Sequence, residues 1–259
     1  MKFYTWSNNE NDERLARLIK SARINNITVE IIGHGRDINE DGKLCGKNIW
    51  LYEKLQELNE NEIIMCTDAF DVIYLASEGE ILKKFKSLNT RILFGAETHL
   101  AGLRYNSTDH KKIMKLAKNE TYKYLNSGVV IGYVSDLKKM YKNLIYDVKN
   151  IPKWKWSNDQ GYVSKRYANK KEPIKLDFKK ELIWTDIFYD KPNWPVSDKK
   201  WELHVKELKV KMTDNYLPNN FKNGRLRNEK TNTFPCILHV PTNKHMSSVT
   251  DLIFEHIYG

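Results

Sequence analysis

Residues 63–74 read IIMCTDAFDVIY: an apolar run from Ile63 to Thr67 leads directly into two aspartates, Asp68 and Asp71, set three residues apart. A run this short and apolar is the pattern of a strand buried on both faces, as in a parallel sheet covered by helices. In open α/β sheets ligands sit beyond the carboxyl ends of the strands, which is where both carboxylates emerge. Positions three apart on a straight strand face opposite ways. A turn after Thr67 would bring the two together, as a hard divalent cation bridging a diphosphate requires. The plainer alternative has Asp68 capping a turn and Asp71 in a surface ion pair, and the spacing alone does not separate these readings.

Outward from this stretch, strand and helix patterns alternate. KFYTW at 2–6 predicts a first strand, followed by a helix with Asn11 in the capping position and Leu15, Leu18, Ile19 and Ala22 on one face. ITVEII at 27–32 predicts a second strand, 33–46 a loop, and Ile49, Tyr52, Leu55 and Leu58 a second helix. Further on, Ser77 and Glu80 have capping-box spacing before a helix. RILFGA at 91–96 and GVVIGYV at 128–134 predict strands, 136–148 and 158–168 helices, and CILHV at 236–240 a last strand. Such alternation predicts an α/β fold with a mostly parallel central sheet flanked by helices. No repeat or linker interrupts it, so residues 1–259 are expected to form a single domain. In the C-terminal third, Pro192, Pro195, Pro218 and Pro235 predict loops and short strands.

With 41% hydrophobic and 29% charged residues, the composition is that of a folded chain. The net charge of +10 suits a nucleotide, a nucleic acid or a membrane surface. Much of the excess is lysine on predicted helices, such as Lys83, Lys84, Lys86, Lys138 and Lys139, for which a solvated face is sufficient explanation. Cys45, Cys66 and Cys236 are too few and too widely spaced for a disulfide framework or a zinc motif, and read as free thiols. The N-terminal apolar run is too short for a signal peptide and no segment has the length of a membrane span, so the expectation is a soluble chain, cytoplasmic by default.

TDAFDVIY, ILFGAE, YLNSGVVIGYV, NDQ, IKLD and NTFPCILHVPTNKH follow one another in an order that resembles the glycosyltransferase domain of procollagen lysyl hydroxylases and its collagen glycosyltransferase relatives. The resemblance extends from about Gly46 to His245, and YLNSGVVIGY is far more specific than a pair of aspartates. It implies a GT-A type nucleotide-sugar fold in which Mn2+ is held by Asp68, Asp71 and His239; oxygen ligands with one imidazole suit that ion. The donor it implies is UDP-glucose or UDP-galactose, and the acceptor a hydroxylysine-linked site on a collagen-like protein. The 259 residues hold no dioxygenase domain, so glycosylation without hydroxylation is expected.

The resemblance also implies donor contacts at Lys47, Thr67, Phe70, Ser127, Asp159, Gln160 and Lys244, and catalytic roles for Asp159, Glu97 and Asn126. Plain structural readings stand beside these: a solvated Lys244, a core Phe70, a polar turn at Asn126 and Ser127, a strand end at Asp177 instead of an acceptor contact, and packed rings at Trp154 and Trp156 instead of a sugar platform. The chain departs from the family at two points. Asn158 stands where a longer acidic run is usual, and His239-Val240-Pro241-Thr242 replaces a His-Gly-Asn-Gly sequence. The competing readings are a non-catalytic module binding nucleotide or glycan, a transferase acting on an unrelated glycan or protein, and a nucleic-acid binder, which should show steep salt dependence. A nucleotidyltransferase or metal hydrolase ranks below these, because no Gly-rich phosphate loop is present.

Overall fold

The first strand divides the interior in two. Along β1 (Lys2–Trp6), Tyr4 and Trp6 enter one hydrophobic core while Phe3 enters another, as the two-residue period of a strand dictates. The computed structural model describes residues 1–37, 46–149, 158–185, 198–241 and 247–259. Three further strands join β1 on the pattern expected: β2 (Val29–Ile32), β3 (Ile63–Thr67), whose five residues are all buried, and β5 (Ile92–Glu97). With β6 (Tyr124–Tyr133) and β7 (Ile174–Asp177) they form a six-stranded sheet in the order β2-β1-β3-β6-β5-β7. All neighbours are parallel except β6, which runs antiparallel between β3 and β5.

A three-stranded sheet packs beside it: β4 (Val72–Tyr74), β8 (Ile183–Thr185) and, between them, β11 (Ile237–His239). One face of the large sheet is covered by α2 (Gly46–Gln56), α5 (Val134–Lys149) and α6 (Asp159–Ala168), with Trp50, Leu55, Leu137, Tyr141 and Val163 in the core. The other face meets α1 (Glu13–Ile24), α3 (Glu78–Ser87) and the small sheet. The outer face of the small sheet is closed in turn by α7 (Asp198–Lys211) and α9 (Ser247–Tyr258), around Ile73, Trp184, Leu238, Leu208 and Phe254. Among the described residues no helix is long and apolar enough to cross a membrane.

Several local expectations change. Asp12, not Asn11, caps α1, because its carboxylate accepts the Arg14 N–H. Ser77 occupies the cap of α3 without a side-chain hydrogen bond; the capping box does not close, since Glu80 is engaged by Arg225 and Lys84. The strand expected at 128–134 begins at Tyr124, which places Asn126 and Ser127 inside it. The pattern reading also missed α4 (Thr108–Leu116), α7, α9 and the single turn α8 (Leu217–Asn220), which holds Pro218 at its start; β9 (Phe221–Lys222) and β10 (Arg225–Leu226) are short strands of the kind expected in the C-terminal third. Cys66 and Cys236 are free, buried thiols, while Cys45, Pro192 and Pro195 lie outside the described residues.

Candidate active site

At the carboxyl end of β3 the chain bends through residues 68–71 before entering β4, so the turn that would unite the two aspartates is present. The small sheet supplies the histidine. β11 pairs with β4 so that His239 stands opposite Val72, next to Asp71, and the Val240 N–H donates to the Asp71 carbonyl (2.9 Å). One ligand atom from each of Asp68, Asp71 and His239 lies within 4.8 Å of the others. His239 Nε2 is 3.3 Å from Asp71 Oδ1 and 3.9 Å from Asp68 Oδ2. Two hard carboxylates and an imidazole converging in this way fit a borderline-hard divalent ion such as Mn2+.

Gly128 makes room for the imidazole. A Cβ at that position would stand 2.1 Å from His239 Cε1, so the glycine of YLNSG lets the ring lie against β6. Its carbonyl accepts the Asp68 N–H (2.7 Å), which ties β6 to the aspartate turn. The register of β6 against β5 jumps here, from Val130 opposite Phe94 to Asn126 opposite Gly95. The intervening residues bulge out of that ladder and carry Ser127 and Gly128 towards the carboxyl edge, a common device beside active sites. Asn126 Oδ1 stabilises the bulge by accepting the Gly128 N–H (2.9 Å).

A line of polar contacts runs from the candidate metal cluster across the sheet edge. Lys47 Nζ is 3.0 Å from Asp68 Oδ1 and 2.9 Å from Asp159 Oδ2. Asp159 Oδ2 also accepts the Ser127 hydroxyl (2.9 Å), and the Ser127 N–H donates to Gln160 Oε1 (3.0 Å). Gln160 Nε2 in turn donates to Glu97 Oε1 (2.6 Å). Asn158 caps α6 through the Gly161 N–H and donates to the Gly102 carbonyl (2.7 Å), so it anchors the helix that presents Asp159. Burial pushes the Asp68 carboxyl above its ordinary value; Lys47 pulls against this and Asp71 adds to it. Burial alone would lower Lys47 and His239, but Asp159 and Asp68 hold the ammonium high and Asp71 does the same for the imidazole.

The structure thus brings Asp68, Asp71, His239, Lys47, Asp159, Ser127, Gln160, Glu97 and Asn126 to one edge. Thr67 lies just behind it with its side chain buried in the sheet, its carbonyl accepting the Thr5 hydroxyl (3.0 Å). Phe70 flanks the cluster, 6.4 Å from the Trp6 ring and with the Arg14 guanidinium 4.3 Å over its face. Asp177 is a strand end: its carboxylate accepts the N–H groups of Glu181, Leu182 and Ile183 (3.0, 2.8 and 2.7 Å). Lys244, Trp154 and Trp156 lie outside the described residues. Trp6, which sequence reasoning did not single out, donates its indole N–H to Asp68 Oδ1 (2.8 Å). The available signal was positional: it ends the strand that lies beside β3.

The profile of the PLOD GT domain family matches residues 1–253. Human procollagen-lysine,2-oxoglutarate 5-dioxygenase 2 is 30% identical over 182 residues, which is 65% of this chain and 23% of that protein. Protein R699 of Acanthamoeba polyphaga mimivirus is 30% identical over 175 residues, or 64% of this chain and 35% of the viral protein. The chain therefore spans well under half the length of these relatives. Among solved structures, a glycosyltransferase involved in glycosylation of the major capsid of PBCV-1 superposes with a TM-score of 0.52 at 11% identity, covering 98% of both chains. A family profile matched from the first residue almost to the last, on the sheet order and site just described, makes this chain a member of the PLOD GT domain family with the GT-A glycosyltransferase fold.

Proposed function

We propose that this chain transfers glucose or galactose from its UDP donor to a hydroxylysine-linked acceptor on a collagen-like protein, with Mn2+ held by Asp68, Asp71 and His239. The observation that carries the reading is the convergence of those three side chains beside the Lys47–Asp159–Ser127–Gln160–Glu97 line, so that a candidate cation site and a line of polar side chains share one edge. Bound there, the ion would supply Lewis-acid neutralisation of the donor diphosphate and of the departing UDP.

The protein's own groups do the rest. Asp159 and Glu97, fixed by Ser127 and Gln160, present carboxylate oxygens to sugar hydroxyls and to the acceptor hydroxyl, and an inverting course would use one of them as the base that takes the acceptor proton. Asn126 holds the bulge that carries Ser127 into place. Phe70 offers a ring for the uracil, which requires the Arg14 guanidinium to leave its face. Lys244 adds positive charge towards the diphosphate. Residues 1–259 act as one glycosyltransferase domain.

The test is UDP release from a panel of UDP-sugars, with Mn2+ or with a chelator, with and without hydroxylysine and galactosylhydroxylysine acceptors. Mn2+-dependent release from a glucose or galactose donor, stimulated by one of these acceptors, is expected. Release without stimulation redirects the search to another glycan or protein acceptor. No release from any donor identifies a binding module of the same fold.

A further inference from the structure

We propose that Trp6 and Lys47 form a two-donor clamp on Asp68 that fixes which carboxylate oxygen faces the metal; the proposal rests on the metal assignment above. Asp68 Oδ1 receives the Trp6 indole N–H at 2.8 Å and the Lys47 ammonium at 3.0 Å. Oδ2 is the oxygen of Asp68 that faces His239 Nε2. The two oxygens of this ligand are therefore sorted before any ion arrives: one is held by protein donors and the other is directed at the cluster.

The sorting follows from the sheet. β1 and β3 run parallel with Thr5 opposite Thr67, so the next residues, Trp6 and Asp68, emerge side by side at the carboxyl edge. An indole has a single polar atom, and here it is committed to Asp68. The ring is held in turn by Trp50, with centroids 6.2 Å apart, and by the Lys47 ammonium 5.6 Å above it. Carboxylate torsions are broad and roughly two-fold when free, so two donors on one oxygen remove a freedom that metal binding would otherwise have to remove.

Lys47 has a second partner, Asp159 Oδ2 at 2.9 Å, and is almost completely buried. Its ammonium is directed at two carboxylates, which makes it a positioning residue joining the proposed metal ligand to Asp159. The two arms of the clamp should therefore separate in kinetics. Loss of the Trp6 N–H acts through Mn2+ affinity and leaves kcat at saturating Mn2+ close to the parent value. Loss of the Lys47 charge lowers both Mn2+ affinity and kcat.

The experiment titrates Mn2+ into the metal-free full chain, without donor, and follows free Mn2+ by EPR. Trp6→Phe, Lys47→Met and Asp71→Asn are compared with the parent, and so is a protein carrying benzothienylalanine at position 6, which keeps the bicyclic ring and removes the N–H. Near-UV circular dichroism checks that each is folded. About tenfold weaker Mn2+ binding is expected for both position-6 replacements and for Lys47→Met, the lower end of what orienting partners of metal ligands usually contribute. Parent-like Mn2+ affinity in the benzothienylalanine protein or in Lys47→Met overturns the clamp, even where Trp6→Phe fails to fold. The control separates the two levels. Parent-like affinity in Asp71→Asn, or no binding by the parent, refutes the metal assignment and the clamp with it; loss in Asp71→Asn beside unchanged binding in the clamp variants refutes the clamp alone.

Discussion

Two clusters of charged side chains flank the short strand β11, one at each end, and they are built on opposite principles. At the Cys236 end, Glu80 is gripped by Arg225 through two contacts (2.8 and 3.1 Å) and by Lys84 (2.8 Å). Burial would raise its carboxyl, but Arg225 and Lys84 outweigh that and hold it down at about 2. At the His239 end, Asp68 and Asp159 share the Lys47 ammonium, Asp71 faces His239, and burial with Asp71 pushes Asp68 up. In the first cluster one carboxylate is held by two cations, so its negative charge is fully met within the protein. The second gathers carboxylates that crowd one another, inside a protein whose net charge is +10, an arrangement that a cation from outside would complete. A carboxylate held low in a closed ion pair reads as structure; one held high beside another reads as a site.

Substitutions break this contrast by graded amounts. The largest effect is expected for Asp71→Ala, which removes a metal ligand: UDP-sugar turnover should fall by about 100-fold or more, equivalent to about 3 kcal/mol of transition-state stabilisation, with Mn2+-dependent UDP binding lost and the circular dichroism spectrum unchanged. Unaltered UDP affinity would refute the ligand assignment. Asp159→Asn should lower kcat by roughly 100-fold while UDP affinity, measured by calorimetry, stays within about threefold, because it alters the sugar side of the line and spares the ion.

Gly128→Ala sharpens the role of the bulge. The added methyl meets the His239 ring, so Mn2+ affinity should drop by about tenfold and stability by about 1–3 kcal/mol, both from a substitution that touches no charge. Glu80→Gln tests the balanced cluster: it should destabilise by about 1 kcal/mol at neutral pH and leave Mn2+ binding intact. The depressed folded-state value means that this contribution is whole above the ordinary carboxylate range and fades as pH falls towards 2, so parent and variant should converge in acid denaturation. On folding stability, Asp68→Asn has the smallest effect and the opposite sign. An acid whose folded value is raised costs stability once it ionises, so the metal-free variant should melt a few degrees higher at neutral pH while Mn2+ no longer binds.

The large sheet was legible because its strands follow simple period and burial rules. The apolar run Ile63–Thr67 announced both its burial and the position of Asp68 at the carboxyl edge. What escaped is nonlocal. β4 and β8 are three residues each, too short to carry a period, and their pairing with β11 is what sets His239 beside Asp71. The histidine was found through the family resemblance, and spacing alone would have left it a core residue. Ser77 and Glu80 have capping-box spacing, yet Arg225, far along the chain, claims the carboxylate. Trp6 was not singled out, since nothing local marks an indole N–H whose partner follows the neighbouring strand. α9 was visible in principle, through the spacing of Val249, Ile253 and Phe254.

Because His239 rides on β11, whose outer face is covered by α7 and α9, the third proposed ligand belongs to a different part of the chain from the two aspartates. An ion held by all three would act as a rivet between the nucleotide-side sheet and the C-terminal layer, so that affinity for the metal and resistance of that layer to local opening become one linked quantity. Chelation should then speed amide exchange at Leu238 and Ile73, which face each other across the β11–β4 ladder, more than at Tyr4 or Ile64 in the large sheet. Loosening α9 should in turn release the ion.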